Sequence, residues 1–102
     1  MPIQSAKQIS TSLKRIPLWR KRDREIVRTF KFGDFRAALD FVRRIGRKAE
    51  KACHHPDIDI RYNKVTLALT THDEGGLTKA DFQLARKCDK VFAALVAEVS
   101  SP

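Results

Sequence analysis

No apolar run in this 102-residue chain approaches the roughly 18–20 residues a helix needs to cross a bilayer. A membrane-spanning role is therefore not expected. Cysteine is scarce, with only Cys53 and Cys88. That is too few for a small secreted scaffold stapled by disulfides, so two free thiols in a reducing compartment are the expectation. Glycine and proline number 4 each, which argues against long disordered segments. No acidic residue precedes Asp23. An acid-poor, Arg-containing start has the composition of an organelle presequence. Pro2, Pro17 and Trp19 interrupt it, and it runs straight into the domain, so a cytoplasmic location is expected. Histidine is also rare. All three, His54, His55 and His72, fall in one short window.

What is present fits a single globular domain spanning 1–102. Hydrophobic residues make up 42% and charged residues 32%, and the charged ones carry both signs. The net charge is +9, with basic clusters at Lys14-Arg15, Arg20-Lys21-Arg22 with Arg24, and Arg43-Arg44 with Arg47-Lys48. Such a surface attracts nucleic acid or acidic proteins in a salt-dependent way. No zinc-finger spacing, RNA-recognition signature or interleaved aromatic stripe turns the charge into a dedicated binding module, so that partner class is not favoured.

Periodicity sets the expected elements. Ser5 to Arg15 reads as a short amphipathic helix stopped by Pro17, with Ile9, Leu13 and Ile16 on one side. Trp19 to Arg22 and Ile26 to Phe32 read as strands joined around Asp23-Arg24. Asp34 is a good N-cap for a long helix carrying Phe35, Ala38, Leu39, Val42, Ile45, Ala49 and Ala52 at helical spacing. Ile58, Ile60 and Tyr62, and then Val65, Leu67 and Leu69, alternate with polar or small residues on either side of a two-residue connection at Asn63-Lys64. That pattern is a hairpin signal. Thr78 to Asp81 resembles a capping box opening a last helix striped by Leu84, Ala85, Cys88, Val91, Phe92, Leu95, Val96 and Val99. The expected fold is α+β and two-layered: a four-stranded antiparallel sheet with two long helices and one short helix on one face.

The histidine window carries the chemistry. Histidine exchanges protons near neutral pH, its unperturbed pKa being about 6.5. Glu50 precedes His54 by four residues, so on a continuing helix the two touch, and the carboxylate fixes the imidazole tautomer. Pro56 forces His55 into extended geometry. In phase with Thr70, His72 points away from the apolar face. Three histidines could hold zinc, but the local spacings of zinc sites are missing. No serine or cysteine sits in a nucleophile context, although Cys53 adjoins the histidine pair. The residues by themselves indicate a small domain with a histidine acid/base site.

The string Glu50-Lys51-Ala52-Cys53-His54-His55-Pro56, followed by Tyr62-Asn63-Lys64-Val65, Thr71-His72 and Gly76-Leu77-Thr78 to Asp81, resembles the pterin-4a-carbinolamine dehydratases. Weaker similarity runs back through Trp19, Arg28 to Phe32, Asp34-Phe35, Ala38 and Phe41-Val42. The resemblance implies the same four-stranded sheet with helices on one side. It also implies a homodimer or homotetramer that dehydrates 4a-hydroxytetrahydropterin, the product of aromatic amino-acid hydroxylases, without metal or redox cofactor. It assigns His54 and His72 as the acid/base pair and His55 as a positioner of the pterin. Glu50 would orient and polarise the histidines, and Asp81 would support His72. Cys53, His54, His55, Thr70, Thr71 and His72 would line the pterin site. Cys53 stands where many relatives carry Asp or another polar residue. The +9 charge is unusual for a plain dehydratase, and some relatives also act as partners of transcription factors.

Overall fold

The computed structural model describes the backbone of residues 2–100 and the side chains of residues 2–98. The first helix, α1 (Ala6–Lys14), starts at a reciprocal cap. Ser5 Oγ accepts from the Gln8 N–H at 3.2 Å and Gln8 Oε1 accepts from the Ser5 N–H at 2.8 Å, satisfying two donors that a helix start leaves open. Strands β1 (Arg20–Arg22) and β2 (Glu25–Lys31) form a hairpin around Asp23-Arg24, as the sequence implied. Helix α2 (Phe35–Ala52) opens on Asp34, whose carboxylate accepts from the Ala37 N–H at 2.8 Å. Strands β3 (Asp57–Arg61) and β4 (Lys64–Leu69) follow, then a short 3₁₀ turn over His72–Glu74 and the long helix α3 (Lys79–Ser100).

The strands make one antiparallel sheet in the order β1-β2-β4-β3. The register places Ile26 opposite Leu69, Arg28 opposite Leu67 and Phe30 opposite Val65. These residues therefore share a face, and every one of them except Arg28 is fully buried there. Phe30, Phe32, Phe41 and Phe92 join them in an aromatic cluster, with the Phe30 and Phe41 rings 4.7 Å apart. Arg28 is accommodated on this face because Asp89 of α3 accepts from its guanidinium at 2.7 Å. The same carboxylate oxygen takes the Trp19 indole N–H at 2.8 Å, and the guanidinium lies 4.2 Å over the Phe30 ring. The expected α+β architecture, with its helices on one face, is the one observed.

Four details differ from the sequence reading. On α2 the expected stripe is buried only at Ala38, Ile45 and Ala49; Phe41 completes the buried face, while Phe35, Leu39 and Ala52 are exposed. The β3–β4 turn is Tyr62-Asn63, one residue earlier than expected, with Tyr62 at φ 53°. Its register is secured from outside the hairpin: the Phe32 N–H donates to the Asn63 carbonyl, and the Asn63 amide donates to the Phe32 carbonyl, both at 2.8 Å. Strand β3 is an edge strand exposed along its length, so Ile58 and Ile60 remain partly in solvent despite their alternation. On α3 the stripe is buried at Leu84, Ala85, Cys88, Val91 and Leu95, while Val96 is exposed and the Val99 side chain lies outside the described residues. Among the described residues no helix is long and apolar enough to cross a membrane.

Candidate acid/base site

The end of α2 decides where the first two histidines go. Cys53 adopts the left-handed conformation, φ 53° and ψ 39°. Its N–H donates to the Glu50 carbonyl, and the His54 N–H donates to the Ala49 carbonyl, both at 3.1 Å. This closure is the usual way a helix stops, but glycine normally supplies the left-handed residue. It breaks the helical spacing between Glu50 and His54, and the expected contact between them does not form. Glu50 instead pairs with His55 Nε2, and both side chains are mostly in solvent, 76% and 64% exposed.

His54 turns the other way, towards α3. Its Nε2 lies 2.6 Å from Asp81 Oδ1; the His54 side chain is 14% exposed and that of Asp81 not at all. The expected support of His72 by Asp81 is thus corrected: Asp81 holds His54. The second carboxylate oxygen, Oδ2, accepts from the Thr71 hydroxyl and from the Thr78 N–H, each at 2.9 Å. Thr71 has one hydroxyl proton and gives it to Asp81. The Thr78 hydroxyl, 2.9 Å away, therefore donates to Thr71 Oγ1 and itself accepts from the Ala80 N–H at 3.2 Å. The capping role foreseen for Asp81 is real, because the Thr78 N–H is the first open donor of α3. The same carboxylate also serves the histidine.

With Asp81 as a carboxylate, which only accepts, the hydrogen of this contact sits on His54 Nε2. Nδ1 is left without a protein partner among the described residues. A carboxylate holding one ring nitrogen and leaving the other open is the arrangement by which acid/base histidines are oriented.

His72 stands exposed on the 3₁₀ turn that follows β4, tied back by the Thr71–Gly76 bridge. It lines an open cavity of about 520 Å³ together with Thr70, Gly75 and the β1–β2 turn residues Asp23, Arg24 and Glu25. Asp23, Arg24 and Glu25 were not among the residues expected from sequence. They arrive through a long-range contact, the Thr70 hydroxyl donating to the Arg24 carbonyl at 2.6 Å, which leaves no local sequence signal. His54 and His55 do not line this cavity, but Thr71 joins its His72 wall to the Asp81–His54 pair. Of the expected residues, then, His54, Thr71 and Asp81 form one bonded group. Thr70 and His72 face the cavity beside it. His55 and Glu50 form a separate exposed pair, and Cys53 is an exposed thiol at the turn.

The fold and site together define a class: a small α+β domain with one histidine held by a buried carboxylate after α2 and a second histidine on the wall of an open cavity, the two linked through Thr71. The family profile described as pterin 4 alpha carbinolamine dehydratase matches residues 2–91. A protein of Chloroflexus aurantiacus, provisionally named a pterin-4-alpha-carbinolamine dehydratase, is 53% identical over 89% of this chain and 98% of its own length. The chain belongs to the pterin-4a-carbinolamine dehydratase family. Among solved structures, a transcriptional coactivator/pterin dehydratase from Brucella melitensis superposes with a TM-score of 0.84 at 35% identity, covering 87% of this chain and 97% of that one. A pterin dehydratase-like RuBisCO assembly factor of the alpha-carboxysome shares the fold, with a TM-score of 0.61 at 19% identity over 72% of this chain and 86% of its own.

Proposed function

We propose that the protein dehydrates 4a-hydroxytetrahydropterin to quinonoid dihydropterin and water, with His54 and His72 as the acid/base pair. The carbinolamine C–O bond breaks as one protonated imidazole gives its proton to the departing hydroxyl. A neutral imidazole takes the ring N–H proton, whose electrons form the new C=N bond. The two histidines end with their protonation states exchanged, and solvent restores them. The observation that most supports this reading is the His54–Asp81 pair, which leaves Nδ1 as the working nitrogen. Positioned acid/base groups contribute roughly 10²–10⁴-fold each, ample for an elimination that already proceeds unaided.

The cavity at His72 is of ligand-pocket size, which runs from about 300 to 1,000 Å³. The Asp23 carboxylate on its wall offers acceptors for the amino and ring N–H groups of a pterin. Thr70, Thr71 and the Cys53–His55 turn would complete the site, with His55, braced by Glu50, positioning the substrate. The partners this implies are a pterin, an aromatic amino-acid hydroxylase that supplies it, and further copies of the chain in a dimer or tetramer. The test is stopped-flow absorbance of chemically generated 4a-hydroxytetrahydropterin. Acceleration by the protein that is lost in His54→Ala combined with His72→Ala is the expected result. No acceleration by a folded protein would reject the reading.

A second reading is carried by the +9 charge: a binding role on the same fold towards an acidic protein or nucleic acid. Loss of all retention on immobilised polyanion at physiological salt would exclude it.

A further inference from the structure

We propose that the crevice between α1 and α3 binds an oxyanion of phosphate or diphosphate size through Arg15, Lys79 and Arg86. The crevice measures about 230 Å³. That is room for about seven waters, taking roughly 30 Å³ for each. Its polar lining among the described residues is Arg15, Lys79, Arg86, Gln4, Ser12 and Gln83, with no acidic residue among them. Among the described residues none of the three cations has an ion-pair partner. Other cations among the described residues, Arg20, Arg24, Arg36 and Arg47 included, are unpaired too, so it is the gathering of three around one concavity that sets these apart. Like charges gathered in a concavity repel each other, and an anion entering it relieves that repulsion while gaining charge-assisted hydrogen bonds.

The crevice is built rather than incidental. Lys79, Gln83 and Arg86 are spaced four and three residues apart, so they share one face of α3. Gln4 is held at the rim on both sides. Its N–H donates to the Leu77 carbonyl at 2.8 Å, and its Oε1 accepts from the Ser12 hydroxyl at 3.4 Å, so its amide N–H groups stay free to donate. Asp81 sits two residues beyond Lys79, on the far side of α3, so the crevice is separate from the His54 pair and its proposed role does not depend on the dehydratase reading. The size selects the ligand: two arginines and a lysine lining a small concavity suit a tetrahedral oxyanion, whereas a nucleic-acid backbone needs an extended stripe.

The experiment is a titration of ¹⁵N-labelled protein with inorganic phosphate and with pyrophosphate at constant ionic strength, followed by amide shifts. Saturable shifts at Gln4, Arg15, Lys79, Gln83 and Arg86 are expected, with pyrophosphate the tighter ligand. In Arg86→Gln, and separately in Arg15→Gln, affinity should fall at least about tenfold, which is about 1.4 kcal/mol. Both side chains are solvent-exposed, so both variants should fold, and the wild-type amide dispersion verifies it. Shifts that chloride reproduces would overturn the proposal. So would saturable shifts located elsewhere, or an affinity unchanged in both variants.

Discussion

His54 and His55 are adjacent in sequence, each bonded through Nε2 to a carboxylate, yet they occupy opposite environments. The His54 partner, Asp81, is fully buried and accepts from three donors; the His55 partner, Glu50, is 76% exposed and among the described residues its side chain pairs only with His55. In water a histidine–carboxylate pair is worth little, since solvent screens the charge and both side chains lose freedom. Inside the protein the same pair becomes a fixed geometry, because each group's alternative to its partner is an unsatisfied polar atom. One pair fixes the orientation of a half-buried imidazole; the other holds two surface side chains together. A single left-handed residue, Cys53, separates the two fates.

The largest effect should come from Asp81. Asp81→Ala removes the acceptor for His54, Thr71 and Thr78, and leaving buried donors unpaired costs about 1–3 kcal/mol each in the worst case. A loss of several kcal/mol in chemical denaturation is expected. An unchanged midpoint would show that the network is not stabilising. His72→Ala should lower dehydration by roughly 10²-fold or more while barely moving the thermal midpoint, because His72 is exposed. A large fall in the midpoint would show His72 to be structural. At the exposed pair, Glu50→Ala should change stability by no more than about 0.5 kcal/mol. A larger loss would erase the contrast between the pairs. Cys53→Gly should stabilise by roughly 0.5–1 kcal/mol, since glycine enters the left-handed region without a Cβ penalty.

The two thiols extend the comparison. Cys53 is exposed, whereas burial, with a further contribution from Asp89, pushes the Cys88 thiol up to about 12 from 9.0. A thiol reagent should modify Cys53 alone in the native protein and both cysteines in denaturant. A folded value above the unfolded one means the neutral thiol's contribution is complete below pH 9.0 and is lost as pH rises towards about 12. Stability should therefore fall across that alkaline window and fall less in Cys88→Ala, once measured against that variant's own neutral-pH value.

Much of this was legible in the chain. The period-two runs from Ile58 and Val65 and the helical spacing from Phe35 to Ala52 are long enough to mark an element, and each became the expected one, although β3 buries neither face and α2 buries Phe41 rather than Phe35 and Leu39. What stayed hidden depended on single backbone conformations or on distant contacts. Nothing marks Cys53 as left-handed, so the sequence placed Glu50 against His54. Tyr62 at positive φ shifted a turn by one residue, under the pull of Phe32 on Asn63. The Asp23–Glu25 wall of the His72 cavity comes from a hydrogen bond between residues 46 apart in sequence, and no local pattern encodes it. The histidine window itself was plain because the residue occurs nowhere else.

The account's central claim is that buried Asp81, and not exposed Glu50, sets up the working histidine. The most direct measurement is the dehydration rate of 4a-hydroxytetrahydropterin for Asp81→Asn beside Glu50→Gln, two nearly isosteric changes. The account predicts a fall of about 10²-fold or more for Asp81→Asn, since an amide has one accepting oxygen and cannot serve both His54 Nε2–H and the Thr78 N–H, and only a few-fold change for Glu50→Gln. Equal losses in the two variants, or the larger loss in Glu50→Gln, would contradict it.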